Sequence, residues 1–126
     1  MSWAFNRPPD DKFRIQFRSI CLRPAMYVGE VNYKLVCALL TGLALGFQGW
    51  HGRMMHSFLH EEFQQFLVKK YCKGSATFKQ VMWEAIIPRG MKLRGKELTE
   101  KQLIDQLLQD FQDFDNILVR MAIEIE

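Results

Sequence analysis

Any chemistry in this chain has to start from a short inventory of side chains. His56 and His60 stand four apart, which on a helix puts both imidazoles on one face where they could reach one metal ion, with Glu61 or Glu62 beside them. The acid follows the second histidine, so the His-Glu-x-x-His order of zinc proteases is absent, and His51 falls at a helix end. Two ligands do not make a site, and these residues read as surface or interface histidines. Cys21, Cys37 and Cys72 are odd in number and lack a Cys-x-x-Cys pair, which argues against a disulfide framework or a zinc ribbon. Cys37 lies in an apolar run and belongs to the core. Nothing places Cys21 or Cys72 beside a histidine to make a nucleophile. No Gly-x-Ser-x-Gly elbow, phosphate-binding glycine loop or dinucleotide fingerprint is present. No enzymatic activity and no cofactor is expected.

Two charged sets are suited to binding. Arg89, Lys92, Arg94 and Lys96, interleaved with two glycines, form a basic stretch that could track a phosphate backbone, reinforced by Lys69, Lys70, Lys73 and Lys79. No aromatic residue lies between Arg89 and Lys96 to stack a base. Near the end of the chain, Asp105, Gln109, Gln112, Asp113 and Asp115 make an acidic and amide-rich set. The formal net charge of +3 conceals this polarity. Residues 1–96 hold 15 basic against 6 acidic side chains, and residues 97–126 hold 2 against 8. An acidic face can steer toward a basic partner, and it can equally serve as a solvated face or attract the basic part of its own chain.

The elements that must position these residues follow from periodicity. Phe13, Phe17 and Ile20 predict a first helix from Asp10 or Asp11 to about Leu22, with Arg14 and Arg18 on its other side. Pro24 should end it, and Arg23 to Gly29 should turn the chain. Asn32 then caps an apolar helix carrying Leu35, Val36, Leu39, Leu40, Leu43 and Phe47, expected to be the central and most buried one. Gly42 and Gly46 stand four apart on it. A third helix is predicted from about Met54 to Tyr71, and a fourth, carrying Phe78, Val81, Met82, Ala85 and Ile86, is expected to stop at Pro88. Arg89 to Lys96 is then an exposed loop. Thr99 and Gln102 form a capping box for a last helix from about Glu100 to Ile123, with Leu103, Leu107, Phe111, Phe114, Leu118 and Met121 as its apolar stripe. Its outward face should carry Asp105, Asp110, Asp113 and Asp115.

The expected fold is all-α, a bundle of about five helices in a single domain over residues 1–126. Residues 1–12 lack the apolar core of a secretory signal, so the chain is expected in the cytoplasm. The longest apolar stretch, 33–50, is shorter than the ~20 residues a bilayer requires and is broken by Lys34, Thr41 and Gln48, so no membrane association is expected.

The segment Leu22-Arg23-Pro24-Ala25-Met26-Tyr27-Val28-Gly29, with an amphipathic stretch before it and a glycine-containing apolar helix after it, resembles the "RPGMYLG" opening of small bacterial helical proteins encoded near polymorphic toxins. Ala25 stands where that pattern usually has Gly. Some of those proteins are immunity partners of contact-dependent growth inhibition toxins of the EndoU ribonuclease type. The resemblance covers roughly the first 50 residues and, more loosely, the acidic C-terminal helix. It implies a partner protein, a cognate toxin domain whose RNA-binding groove is cationic and could be occluded by Asp105, Gln109, Gln112, Asp113 and Asp115. Trp3, Trp50 and Trp83 are candidate anchors for such a contact. Gyrase-type ATPases contain a similar "RPGMYIG" segment, but their nucleotide site also needs an Asp-x-Gly-x-Gly loop that this chain lacks.

Overall fold

The computed structural model describes residues 11–46, 59–71 and 82–125, and among these every element is a helix. The chain is an all-α bundle. Helix α1 is Asp11–Leu22, α2 is Pro24–Val28 and α3 is Tyr33–Gly46. A π-helical turn, Leu59–Phe63, runs directly into Gln64–Tyr71, and the two are together called α4. Helix α5 is Trp83–Leu93 and α6 is Glu100–Ile125. The expected positions of His51, His56, Cys72, Trp3, Trp50, Phe47, Phe58 and Phe78 lie outside the described residues.

The core forms where aromatic positions of four helices converge. Phe17 of α1 stacks on Phe111 of α6 with ring centroids 3.9 Å apart and planes 11° from parallel. Phe63 of α4 meets Phe111 edge-on at 5.5 Å, and packs tilted, at 53°, against Trp83 of α5 at 5.8 Å. Offset and edge-to-face contacts of this kind add about 0.5–1.5 kcal/mol each beyond the area they bury. Trp83 is therefore core, and not an anchor for a partner.

Helix α6 begins as its sequence dictates. The Gln102 amide N–H donates to Thr99 Oγ1 at 3.2 Å, and the Thr99 N–H donates to Gln102 Oε1 at 2.9 Å, which closes the capping box. Ile104, Leu107, Phe111 and Phe114 are buried against α1, α3 and α5. Leu103, expected in this stripe, is only partly buried because Ile104 takes the inward position, and the side chains of Leu118 and Met121 lie outside the described residues. Asn32 caps α3 as expected, Oδ1 accepting from the Leu35 N–H at 3.0 Å.

Three expectations are corrected. The Arg23–Gly29 segment is a short helix and not a bare turn. Pro24 occupies the first helical position, where its missing N–H costs nothing, and Gly29 ends the helix with φ 85°, its N–H reaching Ala25 O at 3.0 Å. Helix α3 is not the most buried element, since Tyr33, Val36, Cys37, Leu40 and Ala44 face the core while Leu35 and Leu45 face outward. The residues around position 88 do not form a terminus either. Helix α5 continues through Pro88, and Arg89 and Lys92 are on its exposed face; only from Arg94 does the chain leave the helix. A proline in a helix interior costs about 3 kcal/mol, whereas Trp83, Ile86, Ile87 and Met91 are buried in α5 at roughly 1.5–3 kcal/mol each, so packing outweighs the break. The true stop is Gly95, with φ 74°, where the Lys96 N–H bonds Met91 O at 2.9 Å and the Gly95 N–H bonds Lys92 O at 3.0 Å.

Gly90 lets α5 approach α4, because a Cβ built there would lie 2.7 Å from Tyr71 Cβ. Helix propensity alone would favour Ala at this position by about 1 kcal/mol. Gly90→Ala is nevertheless expected to destabilise the fold by about 1–3 kcal/mol through overpacking, read as a lower urea midpoint at unchanged slope.

Candidate interaction surface

The acidic set on α6 divides once its neighbours are known. Asp110, expected on the outward face, is fully buried. Its Oδ2 accepts the Tyr71 hydroxyl at 2.5 Å, and its Oδ1 accepts the Lys70 ammonium and, at 2.9 Å, the Gln106 amide. The correction has a simple cause. A buried carboxylate is tolerable only when met by donors, and α4 brings two of them, 39 and 40 positions away in sequence, to one point of α6. Burial, together with the Asp110 carboxylate that accepts its proton, pushes the Tyr71 phenol well above its ordinary range. Arg94 completes the knot, donating from Nη2 to Lys70 O at 3.0 Å while its guanidinium lies 5.0 Å from the centre of the Tyr71 ring.

The remaining members of the set are on the surface and mostly compensated. Asp115 is gripped by Arg14 of α1, from Nε at 2.9 Å and Nη2 at 2.7 Å. Asp105 pairs with Lys101 at 3.3 Å, one turn earlier on the same helix. Asp113 accepts the Gln109 amide at 2.9 Å, and Gln112 lines a groove between α6 and α1. Arg89, Lys92, Arg94 and Lys96 are all exposed. Arg94 is spent on Tyr71 and Lys70, Arg89 and Lys92 share a face of α5, and Lys96 borders a polar depression with Gln102, Asp105, Gln106 and Gln109. His60 is half-buried in the π-helical turn, and among the described residues no three histidine, cysteine, aspartate or glutamate side chains group to hold a metal.

The surface also includes the segment that carries the family resemblance, which the sequence predicts as a turn and not as a contact face. Helix α2 consists of Pro24, Ala25, Met26, Tyr27 and Val28, and none of them is buried. Met26 is 73 % exposed, with Leu22, Tyr27 and Val31 exposed around it. Leu22, Met26 and Val31 rim a depression of about 350 Å³ whose far wall is Lys101, Ile104 and Asp105 of α6. Helix α2 and the first half of the acidic helix therefore share one surface. In the sequence these residues stand out through the Arg23–Gly29 motif, and Met26 and Tyr27 fall between two helices and match neither apolar stripe.

Cys21 and Cys37 are buried free thiols. Burial, and secondarily the Asp105 carboxylate, pushes Cys21 up to about 12, and burial raises Cys37 further. Neither is a nucleophile in the folded chain, because the thiolate is the reactive form.

Compared with known proteins, the chain matches no family model, no curated protein and no solved structure. Among the described residues no helix is long and apolar enough to cross a membrane.

Two outcomes follow from the site. Asp110→Ala strands the Tyr71 hydroxyl, whereas Lys70, one-third exposed, can turn toward water, so a loss of about 2–4 kcal/mol is expected in denaturant unfolding. At pH 8 iodoacetamide should leave Cys21 and Cys37 unmodified in the native protein and alkylate both in guanidinium, as read by peptide mapping.

Proposed function

We propose that this chain is an immunity protein, which binds a cognate bacterial toxin domain of the nuclease class, an EndoU-type ribonuclease in the favoured case, and occludes its active site without chemistry of its own. It acts in the cytoplasm, where such a toxin meets RNA. The observation that carries the reading is α2. Val28 packs against the core, but Ala25, Met26 and Tyr27 of this short apolar helix are exposed, and exposed apolar groups gathered beside polar ones mark a binding surface. Its position next to Asp105 supplies a mixed surface, with Met26 and Leu22 as anchors and carboxylates and amides of α6 around them. The resemblance of Arg23–Gly29 to the opening of toxin-immunity proteins falls on this same helix.

The experiment is co-expression with the toxin domain encoded beside this chain, scored by survival and by isolation of the complex. One-to-one complex and rescue are expected. Met26→Asp should leave the melting temperature within about 2 °C, because Met26 contributes no core packing, and weaken the complex by about 2 kcal/mol, roughly thirtyfold. Killing that proceeds unchanged in the presence of the wild-type chain would overturn the reading.

A further inference from the structure

Toward the start of α1, the seam between α1 and α6 opens into a second groove of about 610 Å³, lined by Arg14, Ile15 and Arg18 of α1 and by Leu108, Gln112, Asp115 and Asn116 among others of α6. Its charge is the informative feature. Arg14 is committed to Asp115 through two nitrogens, so that pair is neutral. Arg18 is exposed and has no carboxylate partner among the described residues, and the side-chain amides of Gln112 and Asn116 beside it make no hydrogen bond there. Ile15, 63 % exposed, and Leu108 supply apolar lining to the same groove. A planar fork of donors next to free amides and apolar walls is complementary to a carboxylate set between apolar groups.

We propose that this groove receives a segment of a partner protein that bears an Asp or Glu flanked by apolar residues, with Arg18 pairing the carboxylate and the Gln112 and Asn116 amides completing its hydrogen bonds. A nucleic-acid strand fits less well, since tracking phosphates requires a run of unpaired cations and the groove offers one. The inference rests on the reading that this chain acts by binding a protein, but not on that protein's being a toxin. The two depressions occupy one seam, so a partner seated on α2 can extend along α1 and place its acidic segment on Arg18.

A library of random 12-residue peptides displayed on phage and panned on the full chain tests this directly. Enriched peptides are expected to share an Asp or Glu next to Leu, Ile or Phe. In fluorescence anisotropy, Arg18→Gln should weaken such a peptide by at least about tenfold, and exchanging its Glu for Gln should do the same. The two losses should not add when combined, which identifies the pair. Arg18 is on the surface, so the variant's melting temperature should match the parent and separate a lost contact from a lost fold. Enrichment without an acidic residue, equal binding to Arg18→Gln, additive losses, or no enrichment at all would overturn the proposal. Tight binding of a labelled 12-nucleotide single strand that Arg18→Gln removes would also overturn it, in favour of an anion groove for nucleic acid. Toxin rescue by the wild-type chain with no peptide enriched on it would overturn the groove and leave the immunity reading standing; acidic peptide binding that Arg18→Gln weakens, without toxin rescue by the wild-type chain, would do the reverse.

Discussion

One buried carboxylate constrains the arrangement of the C-terminal half of this bundle. Asp110 sits on α6 with no solvent exposure, and its charge must be met inside the protein. Tyr71 and Lys70 meet it from α4 and Gln106 from α6 itself, so α4 can dock on α6 in only one register without stranding a charge. Tyr71 then becomes a platform for α5, since Gly90 packs against its ring on one side and Arg94 lies over it on another. Beside Asp110 in the sequence, Phe111 stacks on Phe17 and carries α1. Adjacent residues of α6 thus join a polar knot to an aromatic one, and α1, α4 and α5 are positioned from that single turn.

The same pairing shapes the outer surface. Read from its composition, α6 is a strongly acidic helix, but Asp110 is buried against Lys70, Asp115 is neutralised by Arg14 and Asp105 is partly screened by Lys101. The surface that remains is less a field of negative charge than a patterned seam of exposed apolar side chains on α2, amides along α6 and the exposed Arg18 on α1. Such surfaces discriminate through geometry, because each unmatched polar group costs free energy in a wrong complex. Net charge governs encounter, and the local pairing governs which partner stays.

Much of the local structure was legible before any tertiary contact was considered. The Thr99–Gln102 capping box and the Asn32 cap rest on interactions within four residues and form where the spacing places them, and Leu107, Phe111 and Phe114 of the expected α6 stripe are core, with Ile104 in place of Leu103. The extents of α1 and α6 follow from the same short-range rules. Pro88 shows their limit. Its local cost is real, yet the buried side chains of α5 outweigh it, and that gain depends on α4 and α6 being there to receive them. The opposite error occurred at α2, where Pro24 and Gly29 read as turn residues although one is suited to the first position of a helix and the other to its cap.

The sequence by itself determined the class of fold, the capped termini and the apolar faces, because these depend on neighbours one or two turns away. Only the tertiary structure decided which carboxylates are charges on a surface and which are bonds in a core. Asp105, Asp110, Asp113 and Asp115 are the same residue type on one helix, and periodicity grouped them on one face. Asp110 differs from the others through Lys70 and Tyr71, about forty residues away, and Asp115 through Arg14, about a hundred residues away. Electrostatic environment is set by distance in space, and no spacing rule along the chain encodes it.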